Sequence, residues 1–420
     1  MMFDRAYRQR LEADLERWEA NGVITPAATA AIRVVLPPLA PGINIAVVVA
    51  IVGGLLSAAA FLACVAAHWI ELARLLRLAI LFAGILTAHG LGGWFARAGQ
   101  PVLADLCAAV GAIIFGAGIA LVGQMYHLGG DFAGGMLLWS LGALATAALT
   151  GSRGALAVAL VAATIWSSMR ILEVREPHFS FMVVWFIAAG LALAWQSRVA
   201  AHLVALAALA WWIAEALQPG IAPSFLLAYG AAMLFGAGLA LAAAPWPSAS
   251  SAGGVLSNYG AFALAGAAIV QVIAANEGLS GRGGGALSQP LWAISCGAAG
   301  AILAIVAAAI TQRAGVVFAG SAIGFVLLAA LVWNPSKSGE PWLGYAFELC
   351  AMLFLVVSGL LDGARPRLVA GWLGIAGCIA AITWAVKGTL LSRSIFLAVA
   401  GAVAVVLALA LNRLLPKGRE

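Results

Sequence analysis

The chain has 420 residues, of which 64% are hydrophobic and 9% are charged, and its formal net charge is +6. Soluble domains carry about one quarter charged residues, so this composition excludes a soluble globular protein. The excess of Lys and Arg does not indicate nucleic acid, because basic residues gather on the cytoplasmic loops of membrane proteins. We therefore expect contact with a lipid bilayer and no nucleic-acid partner.

Residues 1–42 are the polar part of the chain, and their pattern predicts two helices. The first covers residues 4–20, and Asn21-Gly22 supplies its C-terminal stop. Thr25 is an N-cap residue followed by Pro26 at the first helical position, so a second helix is expected to run to about Leu36. The segment is predicted to be a small cytoplasmic helical hairpin.

The first of these helices carries an apolar stripe whose members recur at spacings of four, four and three residues. They are Tyr7, Leu11, Leu15 and Trp18. One such stripe indicates an amphipathic helix with a face that must be covered. The hairpin is too small to bury a full core alone, so the stripe is predicted to pack on the chain itself or on a protein partner. Surface anchoring to lipid is the alternative.

Apolar runs then follow one another through residues 43–415, and each is long enough for a membrane-spanning helix. The predicted spans are 43–67, 78–95, 102–125, 133–150, 154–170, 179–196, 199–217, 222–244, 257–275, 289–311, 315–333, 342–361, 367–386 and 393–415. The expected fold is all-α, a polytopic bundle of about 14 spans, with a basic cytoplasmic tail at 416–420. No cleaved signal peptide is expected, because the N-terminus alternates acids and bases.

The distribution of basic residues predicts the orientation of this bundle. If the N-terminus is cytoplasmic, most of the 22 Lys and Arg residues, Arg367 among them, fall on the inner segments. The positive-inside rule then favours cytoplasmic N- and C-termini in the inner membrane of a bacterium.

One internal similarity joins two distant spans. Residues 114–121 read IFGAGIAL and residues 234–241 read LFGAGLAL, and each is followed by an AGG-x-L string. The two copies are five spans apart, so a true repeat would be inverted across the membrane, as in many secondary transporters. Chance similarity in a chain rich in Ala, Leu and Gly is the alternative. The glycines themselves predict close helix packing.

A polar cluster follows the third span, at its predicted outer end. It consists of Gln124, Tyr126, His127 and Asp131. An imidazole and a carboxylate near the membrane interface can exchange protons, which suits a ligand or transport site. The alternative is structural: aromatic and His side chains anchor the interface, Asp131 caps the next helix and Gln124 bonds a neighbouring helix.

The end of the first span is expected to lie near this cluster, because adjacent spans with short loops tend to be neighbours. His68 and Glu71 would then approach His127 and Asp131. Two His with two carboxylates would suit a divalent metal, yet the spacing lacks a metal-ligand signature. We predict no metal and no cofactor.

Carboxylates inside spans are the other candidates, because charge at membrane depth is costly. Glu348 lies about a third of the way into a span with no basic residue within a turn. It is expected to face the protein interior and to be neutral or hydrogen-bonded. Asp105 and Glu215 lie near span ends, where solvation at the interface is expected.

Three segments together resemble a known bacterial family. They are LERWEANGVITPAATAAI, AAHWIELARLLRL and FGAGIALVGQMYHLGGDFAGGMLLWSLGAL, within residues 11–150. They are similar to the membrane-protein family called domain of unknown function 2157. The matching positions include Trp18, Gly22 and Ile24, His68 and Trp69, and the 124–131 cluster with Trp139. His68 stands where the family more often has Asn. The resemblance implies a membrane location and no established activity.

Three functions remain as hypotheses from the sequence. The first is a transporter or permease of a small solute or ion, based on the spans, the polar cluster and Glu348. The alternative is a non-catalytic scaffold or sensor whose N-terminal hairpin binds a partner. An enzyme is least favoured, because no nucleophile or acid and base pair can be placed.

Overall fold

The structure is a computed structural model. It describes residues 2–35, isolated positions between 49 and 63, and residues 73–126, 131–218, 222–277, 289–333 and 342–385. The chain divides into two compact units, Met1–Cys64 and Val65–Glu420. The described residues form helices and no strand, so the predicted all-α class is confirmed.

The first unit contains α1 (Met2–Ala20) and α2 (Pro26–Val35). Helix α2 begins as predicted, because the Thr25 hydroxyl accepts a hydrogen bond from the backbone N–H of Ala28 at 3.3 Å. Arg33 in α2 contacts Glu12 in α1, with 3.0 Å between Nε and Oε2. This ion pair ties the two helices to each other.

The second unit contains twelve described helices, which form two halves. The first half consists of α3 (Arg74–Arg97), α4 (Pro101–Met125), α5 (Phe132–Thr150), α6 (Arg153–Val174), α7 (Ser180–Ala194) and α8 (Arg198–Ala216). The second half consists of α9 (Pro223–Ala242), α10 (Pro247–Glu277), α11 (Leu291–Thr311), α12 (Ala314–Val332), α13 (Trp342–Leu361) and α14 (Arg365–Ala385). One large core lies within α4–α8 and another within α9–α14.

Eleven of the described helices are long and apolar enough to cross a membrane. Each predicted span between residues 78 and 386 coincides with one helix. The first and last predicted spans (43–67 and 393–415) and the tail at 416–420 lie outside the described helices, so the count of about 14 stays a prediction. Helices of this composition contact the lipid bilayer.

One predicted span is short for a bilayer, and one predicted start is wrong. Helix α7 has 15 residues, so its length of about 22 Å is less than a bilayer core of about 30 Å. Helix α10 has 31 residues and begins at Pro247, ten residues before the predicted start of the span. Proline is tolerated in the first turn of a helix, where its missing N–H has no partner to lose. Pro247 therefore begins the helix rather than breaking it.

Glycine contacts confirm the prediction of close helix packing. A Cβ added at Gly236, in the second FGAG string, would overlap the backbone of Gly300 in α11. A Cβ added at Gly116, in the first string, would overlap the Trp139 ring of α5. Both strings therefore lie at helix contacts, and the proposed inverted repeat stays a hypothesis.

Candidate functional site

The predicted polar cluster lies where α4 ends and α5 begins. Gln124 and Tyr126 are exposed. Asp131 occupies the N-cap position of α5, but its side chain makes no capping hydrogen bond. His68 and His127 lie outside the described residues, so the expected approach of the first span stays a prediction.

Asp131 is held by an ion pair instead of capping α5. Its carboxylate accepts a hydrogen bond from the Arg170 guanidinium of α6. Arg170 also donates to Glu173, with 3.1 Å between Nη1 and Oε2. The sequence missed this arrangement because Arg170 follows Asp131 by 39 residues and is brought to it by the antiparallel packing of α5 and α6.

A cavity of about 840 Å³ lies beside this ion pair, between α3, α4 and α5. Its walls are apolar, with Leu81, Phe115 and Ile119 among them. Gln124 and Asp131 are the polar side chains that line it. The cavity is within the size range of small-molecule sites in proteins.

Glu348 lies in the interior of the second half, as predicted. It is 0% exposed, and neither carboxylate oxygen has a hydrogen-bond partner among the described residues. The neighbouring Ala351 and Met352 belong to the large core of α9–α14. Burying an ionised carboxylate without a partner is very unfavourable, so the protonated form is the one compatible with this site.

A second buried carboxylate shows that one sequence expectation was wrong. Glu215 was expected to be solvated at a span end, yet it is 0% exposed. Its Oε1 accepts from the backbone N–H of His178 at 2.9 Å, and its Oε2 accepts from the side chain of Gln218. The position of Glu215 near a predicted span end therefore did not mean that water reaches its side chain. Gln218, one helical turn after Glu215 in an apolar run, was the feature of the sequence that could have indicated a hydrogen-bond partner for it.

The His178 imidazole extends this network, in the loop between α6 and α7. Its Nδ1 lies 3.0 Å from the hydroxyl of Ser167, and its ring packs edge-on against Trp166. Burial, with a further contribution from the positive charge of Arg170, lowers the pKa of His178 below its ordinary value of 6.5. The network thus contains a neutral imidazole at neutral pH and lies next to the Asp131–Arg170 pair.

Asp105, the other carboxylate expected to be solvated, is half-buried. Its Oδ1 accepts from the Ser152 hydroxyl at 2.5 Å and from the backbone N–H of Gly154 at 3.1 Å. Asp105, on α4, therefore accepts a hydrogen bond from the first turn of α6, where the N–H groups have no partner within the helix. This is a structural role. The expected solvation of Asp105 stays a prediction, because its side chain is only half-buried, but its bonds to α6 were not predicted.

Arg367 was counted among the inner loop charges that set the orientation. In the structure it is 7% exposed, and its Nη1 donates to Asp362 at 2.8 Å. Its guanidinium also lies over the ring of Phe235, 5.8 Å from the centroid. Arg367 is thus part of the packing between α9, α13 and α14.

The stripe on α1 is only partly covered. Leu15 is 1% exposed and Leu11 is half-buried, whereas Trp18 is 41% exposed. The side chain of Tyr7 lies outside the described residues. Among the residues that are described, no group of three or more His, Cys, Asp or Glu side chains could hold a metal ion.

These observations define the class as a multi-pass, all-helical membrane protein. Residues 16–156 of the chain match the family described as "Predicted membrane protein (DUF2157)". The family resemblance predicted from the sequence is thereby confirmed over the end of α1, α2 and the helices from α3 to the start of α6. No curated protein matches the chain, and no solved structure does.

Proposed function

We propose that the protein is a carrier of a small solute or ion in the bacterial inner membrane, and that Glu348 is its proton-binding residue. The observation that supports this is the burial of Glu348 with two carboxylate oxygens that have no partner among the described residues. A carboxyl group that served only the packing of the bundle would be expected to have hydrogen-bond donors. Ionisable groups at membrane depth are most often functional for that reason.

The proposed role requires the two protonation states to have different conformations. Protonated Glu348 fits the closed core that the structure describes. Release of the proton would create a charge in that core, and the charge would favour a conformation in which water reaches the side chain. This is the coupling that a proton-driven carrier needs.

The test is proton flux into proteoliposomes that contain the purified protein and a trapped pH-sensitive dye. An imposed pH gradient should give flux above that of empty vesicles, and Glu348→Gln should abolish it without loss of folding. Glu176→Gln removes an exposed carboxylate of the α6–α7 loop and serves as the matched control. Flux that is unchanged by Glu348→Gln would reject this role for Glu348.

The proposal includes the orientation, with both termini in the cytoplasm. It rests on the basic residues of the inner segments, less Arg367, which is buried. Alkaline phosphatase fused after Lys417 should be inactive, because that enzyme is active only outside. High activity would reverse the orientation or require an odd number of spans.

A scaffold or sensor is the second candidate, and the exposed side of the α1–α2 pair favours it. Trp18 is 41% exposed, Val23 is 69% exposed and Ile32 is 38% exposed. Exposed Trp side chains are common centres of protein interfaces. Site-specific photo-crosslinking from position 18 in cells should then capture one discrete protein, whereas the same probe at Glu19 should capture less. Equal, diffuse labelling from both positions would argue against a partner site.

A further inference from the structure

The cavity between α3, α4 and α5 has polar groups at one end only. Its length is lined by apolar side chains, including Phe82, Ile85 and Leu138. Gln124, near the end of α4, and Asp131, at the start of α5, provide its polar side chains. Helix ends lie near the level of the lipid headgroups when the helices cross a bilayer. The cavity is therefore apolar at the depth of acyl chains and polar at the depth of headgroups.

The helices around this cavity are among the described helices most open to lipid. Only 17% of the apolar spanning stretch of α3 is buried, and in α4 and α5 the share is 28%, compared with 61% in α9. Glycines also leave room in the walls. A Cβ added at Gly118 would find its nearest neighbour 3.9 Å away, and one at Gly123 would find none within 4 Å. Part of the cavity volume thus exists because these glycines have no side chains to fill it.

The charges at the polar end have both signs. Asp131 and Glu173 flank Arg170, and each carboxylate is about half exposed. Arg77 lies at the same end of the cavity. A short turn joins α3 to α4, so the start of α3 lies near the end of α4, and Arg77 directly precedes Leu78, which lines the cavity. Two carboxylates and two guanidinium groups complement a headgroup that has one positive and one negative charge.

We propose that this cavity is a binding site for a zwitterionic phospholipid with a primary ammonium group. Its acyl chain would lie along Leu81, Phe115 and Ile119, and its ammonium would donate hydrogen bonds to Asp131, the carboxylate that lines the cavity. A primary ammonium has three donors, whereas a trimethylated one has none. Phosphatidylethanolamine is therefore the expected ligand in preference to phosphatidylcholine or to an anionic lipid.

The test measures lipid binding to the purified full-length protein by native mass spectrometry. Phosphatidylethanolamine, phosphatidylcholine and phosphatidylglycerol with identical acyl chains are titrated separately into detergent micelles. Phosphatidylethanolamine should bind at least fivefold more tightly than the other two. Asp131→Asn should remove this preference, and Gly118→Leu, which fills the cavity, should weaken binding of phosphatidylethanolamine at least tenfold. Gly90→Leu is the matched control, because a Cβ at Gly90 meets nothing within 4 Å and Gly90 is not among the lining residues.

Two outcomes would overturn the proposal. Equal affinities for the three lipids, unchanged by Asp131→Asn, would show non-specific lipid around the bundle. A large fall in thermal stability with Gly118→Leu, without any lipid preference in the unmodified protein, would show that the chain itself fills the cavity. If Gly118→Leu does not fold, Gly135→Val tests the same space from α5, where the nearest atom to an added Cβ is 3.6 Å away.

Discussion

The two halves of the bundle differ in how closely their glycines bring helix backbones together. Glycines that face a ring occur in both halves, as Gly111 faces His89 in the first and Gly344 faces Trp333 in the second. In the second half other glycines also approach a neighbouring backbone closely, as Gly236 does with Gly300 and Gly238 does with Ser257. Rings can turn, whereas helix backbones cannot move apart without separating the helices. The second half should therefore tolerate substitution of these glycines less well.

The two halves also bury a carboxylate differently. Glu215 in the first half accepts hydrogen bonds from His178 and Gln218, whereas Glu348 in the second half has none from the described residues. The first arrangement stabilises a structure, because removal of the acceptor would leave two buried donors unpaired. The second lacks that role, which is why the proposed function rests on Glu348.

The largest effect is expected from Gly300→Ala. The added Cβ would overlap the backbone of Ala232 in α9, and we expect a loss of about 3 kcal/mol or more in the free energy of unfolding. The measurement is thermal unfolding of the purified protein in detergent, followed by intrinsic tryptophan fluorescence. Gly266→Ala in α10 is the control, because its Cβ meets nothing within 4 Å and alanine favours a helix. Equal unfolding temperatures for the two variants would contradict the close approach of α9 and α11.

Leucine substitutions at the two buried carboxylates should have different effects on stability. Glu215→Leu leaves the His178 N–H and the Gln218 amide without an acceptor, at a cost of about 2 kcal/mol. Glu348→Leu removes two buried oxygens that have no hydrogen-bond partner among the described residues, so stability should be unchanged or higher by about 1 kcal/mol. The same unfolding assay measures both variants. A large loss with Glu348→Leu would show that its carboxyl group has a structural partner.

The sequence was informative where residues close together in the chain decide the structure. Apolar runs placed the described helices because a span needs about 20 such residues. Glu348 was identified because no base lies within a turn of it. The bond between Glu215 and His178 could not be derived, because the two residues are 37 positions apart and meet only when α8 packs beside the α6–α7 loop. The start of α10 was missed because residues 247–256 are too polar to join an apolar run, although Pro247 can occupy the first turn of a helix.

A smaller effect is expected from Gly116→Ala in the first half. The added Cβ would displace the Trp139 ring, which donates to the carbonyl of Ala112 at 2.9 Å. A ring can turn aside, so we expect a loss of about 1 kcal/mol, the value of that hydrogen bond. The unfolding midpoint checks this, with Gly135→Ala as the control. In the Trp139→Phe background, Gly116→Ala should cost less, because the two changes act on one contact. A cost equal to that of Gly300→Ala would remove the contrast between the halves.

The smallest expected effect is a pH dependence that originates at His178. Its pKa is lowered in the folded state by burial and by Arg170, so the unfolded chain binds a proton more readily. The stability that neutral His178 provides is therefore complete above pH 6.5, the ordinary pKa, and falls as the pH drops towards the folded value. Between pH 7.5 and 5.5 the unfolding temperature should fall by about 1–2 °C more in the unmodified protein than in His178→Gln. Other ionisable groups at this ring or loop are Arg170, Arg175, Glu176 and Glu215. Parallel curves for the two proteins would therefore assign the pH dependence to those groups instead.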